Sequence, residues 1–348
     1  MNTSTTTQIL GVGPTRSGSH RFVLAQSVRW AVRPTLLVAA IGFYATTGGA
    51  IAAWPWVVAL AIAGMAHGAY DIAVIRRRAP SLPGRLLVIS VYSAIMLAAA
   101  AMLWAAPAVS IVLFLMLSAH HFGVSDHPAT RGRVGLSPAE QLMGFSYGVL
   151  VLCTPFALKP AAAWRPFEDV AAALGGAPVS LPTAQLTGAA AAVSMVLATL
   201  TLLTLVRRSS QRLTDVLEQA AVIAAAILLG ALTDPLFAVG VYFLVVHAAG
   251  HCLRADMPGR PTRVPSLHNA ARVHFQSVWW LVPSVAAVGV LALWMHASVA
   301  AESLAVAFIA FCIIATAPHH LIWLGFRLPG MSVASADGHQ ARTTAAAA

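Results

Sequence analysis

Charged side chains are scarce in this 348-residue sequence. Asp, Glu, Lys and Arg together make up 9% of it, whereas 59% of the residues are hydrophobic. A water-soluble chain of this length could not bury so much apolar surface. Short alternating runs typical of membrane β-barrel strands are missing as well. The composition therefore excludes an ordinary soluble domain and favours a helical membrane protein.

Cysteine is also rare. The three cysteines, Cys153, Cys252 and Cys312, stand alone without a CxxC pair, which argues against a thiolate metal site or a disulfide framework. No GxGxxG stretch is present, so a dinucleotide- or flavin-binding loop is not expected. The net charge of +10 does not indicate a nucleic-acid partner, because most basic residues lie in short loops beside apolar runs, where membrane orientation and anionic lipids explain them.

Long apolar runs are what the sequence has in abundance. Because lipid offers the backbone no hydrogen bonds, a run of about twenty apolar residues that crosses a bilayer must be helical. We therefore predict an all-α, polytopic integral membrane protein with about ten transmembrane helices. The predicted spans are 30–47, 54–75, 86–105, 107–123, 138–157, 184–206, 214–232, 236–253, 273–297 and 302–325.

Arginines are concentrated in every second loop between these spans, as in Arg76-Arg77-Arg78 between the second and third. Since basic loops stay in the cytoplasm, this pattern predicts a multi-pass protein of the cell membrane with both termini cytoplasmic. Residues 1–28 and 327–348 are predicted to be disordered cytoplasmic tails. Residues 29–326 would form one transmembrane domain.

Histidines inside the spans are the most informative feature. Each cluster lies roughly seven to ten residues before a basic flank, which corresponds to about 10–15 Å below the membrane surface. Polar groups at that depth are costly and usually functional, and neutral imidazoles bind iron, copper or zinc. The clusters are His67 in "AHGAYD", His120-His121 in "SAHHFGVSD", His247 and His251 in "HAAGHCLR", and His319-His320 in "APHHLIW".

Spacing within the clusters sharpens this interpretation. His247 and His251 are four residues apart, so they share one helix face and can reach one ion. Asp71 lies one turn beyond His67, where it is placed to accept the second ring N–H of His67 and fix its tautomer. Pairing of Asp71 with the arginines that follow it is the alternative.

Two carboxylates and one histidine near these clusters are expected to be solvated. Asp126 and Asp256 each follow a histidine by five residues, off its helix face and close to water. We therefore predict solvated or helix-ending roles for both. His127, just after the fourth span, is likewise predicted to be solvated.

At these motifs the sequence resembles the Brp/Blh family of membrane β-carotene 15,15′-dioxygenases, bacterial and archaeal enzymes that form retinal. The similarity extends over roughly residues 55–325. In the eighth span the family often has Pro-Arg before the second histidine, where this chain has Ala249-Gly250. The matching stretches are "HGAYD" (67–71), "HFGVSD" (121–126), "YFLVVHAAGH" (242–251) and "PHHLIW" (318–323).

The resemblance implies an enzyme that cleaves β-carotene with dioxygen at the central double bond to give two all-trans-retinal. It implies an Fe(2+) ion as cofactor, and a rhodopsin-type protein as a recipient of retinal. The iron ligands implied by the motifs are His67, His121, His247 and His251.

In each pair of adjacent histidines, only one can face a shared site, because adjacent helix residues point about 100° apart. We assign His121 and His319 to face it, with the role of His319 left open. His120 and His320 would then contact the ligands from behind or pack between helices.

A polyene substrate dissolves in the bilayer, so it would reach an intramembrane site sideways between helices and would need an apolar, aromatic-lined tunnel. Aromatic residues near the histidine depth are candidates for that lining. Those singled out are Tyr70, Phe122, Phe243 and Trp279, with Phe114, Tyr242, Phe275, Trp280 and Trp323 as further possibilities.

Two other functions fit part of the pattern. Di-iron membrane desaturases and hydroxylases carry about eight ligands in HxxxH and HxxHH spacings, but this chain has seven candidates and no HxxHH. A metal or proton transporter also uses intramembrane histidines. Here, however, carboxylates are nearly absent from the spans, and the histidines share one depth instead of following a path.

Overall fold

The computed structural model describes residues 17–131, 133, 135–174, 181–209, 211–254, 266–295 and 301–324, and the regular structure in these ranges is entirely helical. We number the helices in chain order. They are α1 Ser17–Thr46, α2 Trp54–Arg78, α3 Leu82–Ala105, α4 Pro107–Asp126, α5 Pro138–Leu158, α6 Pro160–Ala173, α7 Leu181–Arg208, α8 Leu213–Leu232, α9 Pro235–Arg254, α10 Leu267–Trp294 and α11 Ala301–Trp323.

The predicted membrane fold is confirmed. Among the described residues, nine helices are long and apolar enough to cross a bilayer, and α1 adds a shorter apolar segment, Ala31–Thr46. Each predicted span corresponds to one of these ten helices. The remaining helix, α6, lies in the segment 158–183 that the sequence analysis treated as a loop. The protein is thus an all-α, multi-pass membrane protein.

The structure describes only part of the two segments that were predicted to be disordered tails. Helix α1 begins at Ser17, within the segment 1–28 that was predicted to be disordered. Residues 1–16 and the predicted tail 327–348 lie outside the described residues, as does Asp256.

Local sequence explains where the helices begin. Pro138 and Pro235 stand in the first turn of α5 and α9, where a missing N–H costs nothing. Ser137 and Glu140 form a reciprocal capping box at the start of α5, and the Asp234 side chain accepts from the Leu236 amide at the start of α9. The link between α8 and α9 consists only of Thr233 and Asp234.

Glycines let α4 and α5 pack backbone against backbone. A Cβ atom on Gly123 would lie 1.8 Å from the Gly144 carbonyl oxygen, and one on Gly148 would lie 1.8 Å from the Ala119 carbonyl oxygen. Small residues permit such close contact between membrane helices. Because His121 stands between Ala119 and Gly123, this contact fixes where the backbone of His121 lies relative to α5.

Two π-helical turns occur close to histidines. One, Ala59–Ala63, precedes His67 in α2, and the other, Phe243–Ala248, contains His247 in α9. Such turns insert one residue into a helix and are frequent at functional sites. The basic end of α2 meets the end of α11, where Arg78 donates to the Ile322 carbonyl. We call this side of the bundle the basic side.

Candidate metal centre

Five imidazoles from four helices meet inside the bundle. They belong to His67 of α2, His121 of α4, His247 and His251 of α9, and His319 of α11, and each residue is at most 8% exposed. The ring of His67 lies 4.4 Å from that of His251 and 4.8 Å from that of His319, centroid to centroid. The four histidines singled out as iron ligands are therefore brought together, and His319 joins them.

The nitrogen atoms of this cluster could hold a metal ion. Ligand atoms lie within 4.8 Å of one another in two groups that share His67, one with His121 and His319 and the other with His247 and His251. Among the described residues, none hydrogen-bonds to the buried Nε2 atom of His121. Neutral imidazole donors suit divalent iron, copper or zinc. The residues present thus fit an iron(II) ion.

Asp71 supports this cluster, but through a different histidine from the one predicted. Its Oδ2 atom accepts from Nδ1 of His319 at 2.8 Å and from the Tyr92 hydroxyl at 3.1 Å, and its Oδ1 atom accepts from the Trp323 indole at 3.0 Å. The predicted partner, His67, instead has its Nε2 atom 3.2 Å from Nε2 of His319. With the Nδ1 proton held by a carboxylate, the Nε2 lone pair of His319 faces the cluster.

Replacing Asp71 by asparagine should therefore weaken metal retention through His319. Loss of such a carboxylate commonly costs about 10–100-fold in metal affinity or activity. We expect faster loss of iron to a chelator from the Asp71→Asn protein. Tyr92→Phe, which removes only one neutral donor from the same carboxylate, should have a smaller effect. Equal chelation rates in Asp71→Asn and wild type would contradict the assignment.

Asp126 is the site residue that the sequence analysis missed. It was predicted to be solvated or to end a helix; it does end α4, but it is 0% exposed. Nδ1 of His247 lies 3.2 Å from its Oδ2 atom, and the Tyr242 hydroxyl donates to the same oxygen at 3.2 Å. The Tyr147 hydroxyl lies 3.4 Å from that of Tyr242 and extends the chain. This contact depends on how closely α9 approaches the end of α4, which the sequence of either helix does not show.

His127 also differs from its prediction. Instead of being solvated it is 0% exposed, and Nε2 lies 2.8 Å from the Gln219 side-chain oxygen. Burial lowers the pKa of His127 to about 4, so the imidazole is neutral near pH 7. It therefore joins α4 to α8 as a structural contact.

His120 and His320 form a chain that ends at a cluster histidine. Nδ1 of His120 lies 2.8 Å from Nε2 of His320, and Nδ1 of His320 lies 3.1 Å from Nδ1 of His121. His320 thus stands behind His121, and His120 stands behind His320. His320 therefore contacts a proposed ligand, whereas His120 reaches the cluster only through His320. The roles of both histidines stay predictions.

A cavity of about 340 Å³ adjoins the cluster. His67, His121, His247 and His319 form part of its wall, and most of the remaining wall is apolar. Its volume falls within the range of small-molecule sites, about 300–1,000 Å³.

The predicted aromatic residues divide around this cavity. Phe122 and Phe243 line it, and the Phe122 ring stacks on that of His247 with centroids 4.3 Å apart. Tyr70 is buried but does not contribute to the wall. Trp279 lies on the outer surface of α10, 80% exposed, while its neighbour Trp280 lines the cavity instead. Adjacent helix residues point in different directions, and the sequence could not decide between these two tryptophans.

The other aromatic candidates lie elsewhere. Phe275 is 82% exposed on α10, and Phe114 packs against Phe167 of α6. Tyr242 belongs to the Asp126 network. Trp323 lines a second cavity of about 110 Å³ that also reaches His251.

Gly250, one of the two positions that depart from the family motif, lies against two guanidinium groups. A Cβ atom there would be 3.2 Å from Nη1 of Arg254 and 3.3 Å from Nη2 of Arg33. A larger side chain would have to move these groups. Glycine at this position therefore leaves room for Arg33 of α1 and for Arg254, which lies one turn further along α9.

Comparison with known families agrees with this geometry. The family profile described as Beta-carotene 15,15'-dioxygenase matches residues 58–326, a range that contains all five cluster histidines and both carboxylates. Neither a curated protein nor a solved structure gives a significant match. Because the matched range covers more than half of the sequence, the chain belongs to the beta-carotene 15,15'-dioxygenase family.

Proposed function

We propose that this protein cleaves β-carotene at its central 15,15′ double bond with dioxygen, giving two all-trans-retinal. The observation that carries the proposal is the buried histidine cluster in the wall of an apolar cavity within the bundle. An apolar cavity at this depth suits a substrate that dissolves in lipid. Membership of the beta-carotene 15,15'-dioxygenase family supports oxidative cleavage as the type of reaction.

Iron(II) would be held by His67, His121, His247 and His251. His319 has the orientation of a further ligand, because Asp71 holds its Nδ1 proton and its Nε2 atom lies close to that of His67. When bound, the ion would supply activation of dioxygen, the usual role of non-haem iron in oxygenases. The two carboxylates would keep His247 and His319 in the tautomers that present Nε2 to the cluster.

The proposed reaction needs no reductant. The central C=C bond breaks, each of its two carbons gains one oxygen atom of dioxygen, and the electrons come from the broken bond. No nucleotide or flavin partner is needed for this balance, in agreement with the lack of a GxGxxG loop. The chain's contribution is to hold the polyene, orient the imidazoles and exclude water.

The cavity extends to both sides of the histidines, which supports a central cut. Ile75 lines it eight residues beyond His67, about 12 Å toward the basic side, and Phe308 lines it eleven residues before His319, about 16 Å the other way. A cavity that continues past the histidines in both directions suits a polyene whose middle lies at the cluster.

The test is product analysis after expression in β-carotene-producing cells, followed by assay of purified, iron-loaded protein. We expect retinal as the aldehyde product, at about two per carotene consumed, because a symmetric cut gives identical halves. Labelled dioxygen should place one labelled atom in each aldehyde when exchange with water is controlled. Two apocarotenals of unequal length would contradict the central position, and lack of any aldehyde in both assays would contradict carotene cleavage.

The fate of retinal follows from its solubility. Retinal is lipid-soluble, so we propose that it leaves into the bilayer, where a rhodopsin-type protein would receive it. The cell membrane as location and the cytoplasmic placement of both termini stay predictions from the charge pattern.

A further inference from the structure

Most residues that line the cavity of about 340 Å³ are buried or half-buried, but some of those on α3 and α10 are exposed on the surface of the bundle. On the inner wall, Phe243 and Phe308 are only 8% and 2% exposed. In contrast, Ser93 of α3 and Pro283 and Ala287 of α10 line the same cavity and are exposed on the surface of the bundle. The cavity therefore reaches the lipid-facing surface between these two helices.

This opening has a defined outline. Helix α11 packs against both α3 and α10 and forms its back. On the side away from the basic side, the rings of Trp104 and Trp294 close the gap with centroids 5.9 Å apart. On the basic side, the last part of α2, Asp71–Arg78, packs against both helices. The result is a window at middle depth in the membrane, bordered by Ser93, Pro283 and Ala287.

We propose that this window between α3 and α10 is where the carotenoid passes between the bilayer and the histidine cluster, and that Ser93 and Ala287 determine access by being small. The proposal rests on the proposed function. It commits to a polyene as occupant because the window is continuous with the apolar cavity. The second cavity, which reaches His251 and His320, has Arg133 and Gln141 in its wall and does not suit an apolar chain.

Neighbouring alanines provide a matched test. Ala286 and Ala287 are both exposed on α10, but only Ala287 lines the cavity. A tryptophan at 287 would fill the window, whereas one at 286 would point into lipid. In proteoliposomes with β-carotene in the membrane, we expect the initial rate to fall at least about tenfold in Ala287→Trp and to stay within about twofold of wild type in Ala286→Trp. Iron content should be equal in all three proteins.

A second pair on the opposite helix keeps the test decisive if Ala287→Trp does not fold. Ser93 and Ala94 are both exposed on α3, and only Ser93 lines the cavity. Ser93→Trp should obstruct the window, and Ala94→Trp should not. Similar rates within both pairs would overturn the proposal.

Binding separates failure of the window from failure of the proposed function. β-Carotene retained by iron-free protein can be measured from its absorbance after purification from carotene-containing membranes. We expect less retained carotene in Ala287→Trp than in Ala286→Trp even if no protein shows turnover. A wild-type protein that binds carotene without cleaving it would contradict the proposed function alone. If the protein retained phospholipid and added β-carotene did not displace it, the proposal that the window is a carotenoid path would be overturned.

Discussion

Replacing His247 by alanine is expected to remove most of the bound iron and to abolish carotene cleavage. His247 is 1% exposed, its Nδ1 proton is held by Asp126, and its ring lies 4.9 Å from those of both His67 and His121. Without His247 the proposed ligand set of His67, His121, His247 and His251 would lose one of its nitrogen donors. The decrease in iron affinity should exceed the decrease of about 10–100-fold that is usual when only a supporting carboxylate is removed.

Iron per chain, measured on protein purified in detergent, is the direct readout. His268→Ala is a suitable control because His268 is exposed on α10 and belongs to no described cluster. A monodisperse elution profile would show that His247→Ala folds. Iron content equal to that of wild type in folded His247→Ala protein would refute the ligand assignment.

Replacing Asp126 by asparagine should have the next largest effect, although the residue would not touch the metal. The change removes a buried negative charge that accepts hydrogen bonds from His247 and Tyr242. Hydrogen bonds to a charged group contribute about 1.5–3 kcal/mol, and about 1.4 kcal/mol corresponds to a tenfold change in an equilibrium constant. Both this magnitude and the usual cost of losing a ligand-supporting carboxylate predict metal affinity lowered by about 10–100-fold.

Competition with a chelator gives the affinity without relying on turnover. Asp169→Asn is a control, since Asp169 is an exposed carboxylate on α6. Tyr242→Phe removes one donor to Asp126 but keeps its charge, so its effect should be intermediate. An Asp126→Asn protein that holds iron as tightly as wild type would show that the carboxylate serves only to join α4 and α9.

The histidine cluster also bears on the two alternative functions. The di-iron membrane enzymes hold two ions through a large set of histidines, whereas the two groups of three imidazoles found among the described residues share His67. One iron per chain is therefore expected. A transport path would need polar groups on both sides of the histidines, whereas the cavity runs past Phe243 and Phe308 away from the basic side. Vesicle transport assays would test this second alternative.

Local patterns in the sequence determined the fold class and most of the cluster. Runs of about twenty apolar residues have no stable structure in lipid other than a helix, so ten spans could be predicted without tertiary information. Histidines at matched distances from basic flanks had to lie at one depth. The four-residue spacing of His247 and His251 placed both on one face of α9.

Tertiary structure decided which side chains meet across helices. Asp71 could be assigned to the site from its position one turn beyond His67, yet its partner is His319, because hydrogen-bond partners depend on how α2 and α11 lie side by side. Asp126 and His127 follow an apolar span and were expected to be solvated, but α8 and α9 cover them. Trp280, and not Trp279, faces the cavity because helix rotation is set by packing against neighbours. Sequence periodicity fixes depth and spacing along one helix, whereas contacts between helices depend on rotations and close approaches that no single helix encodes.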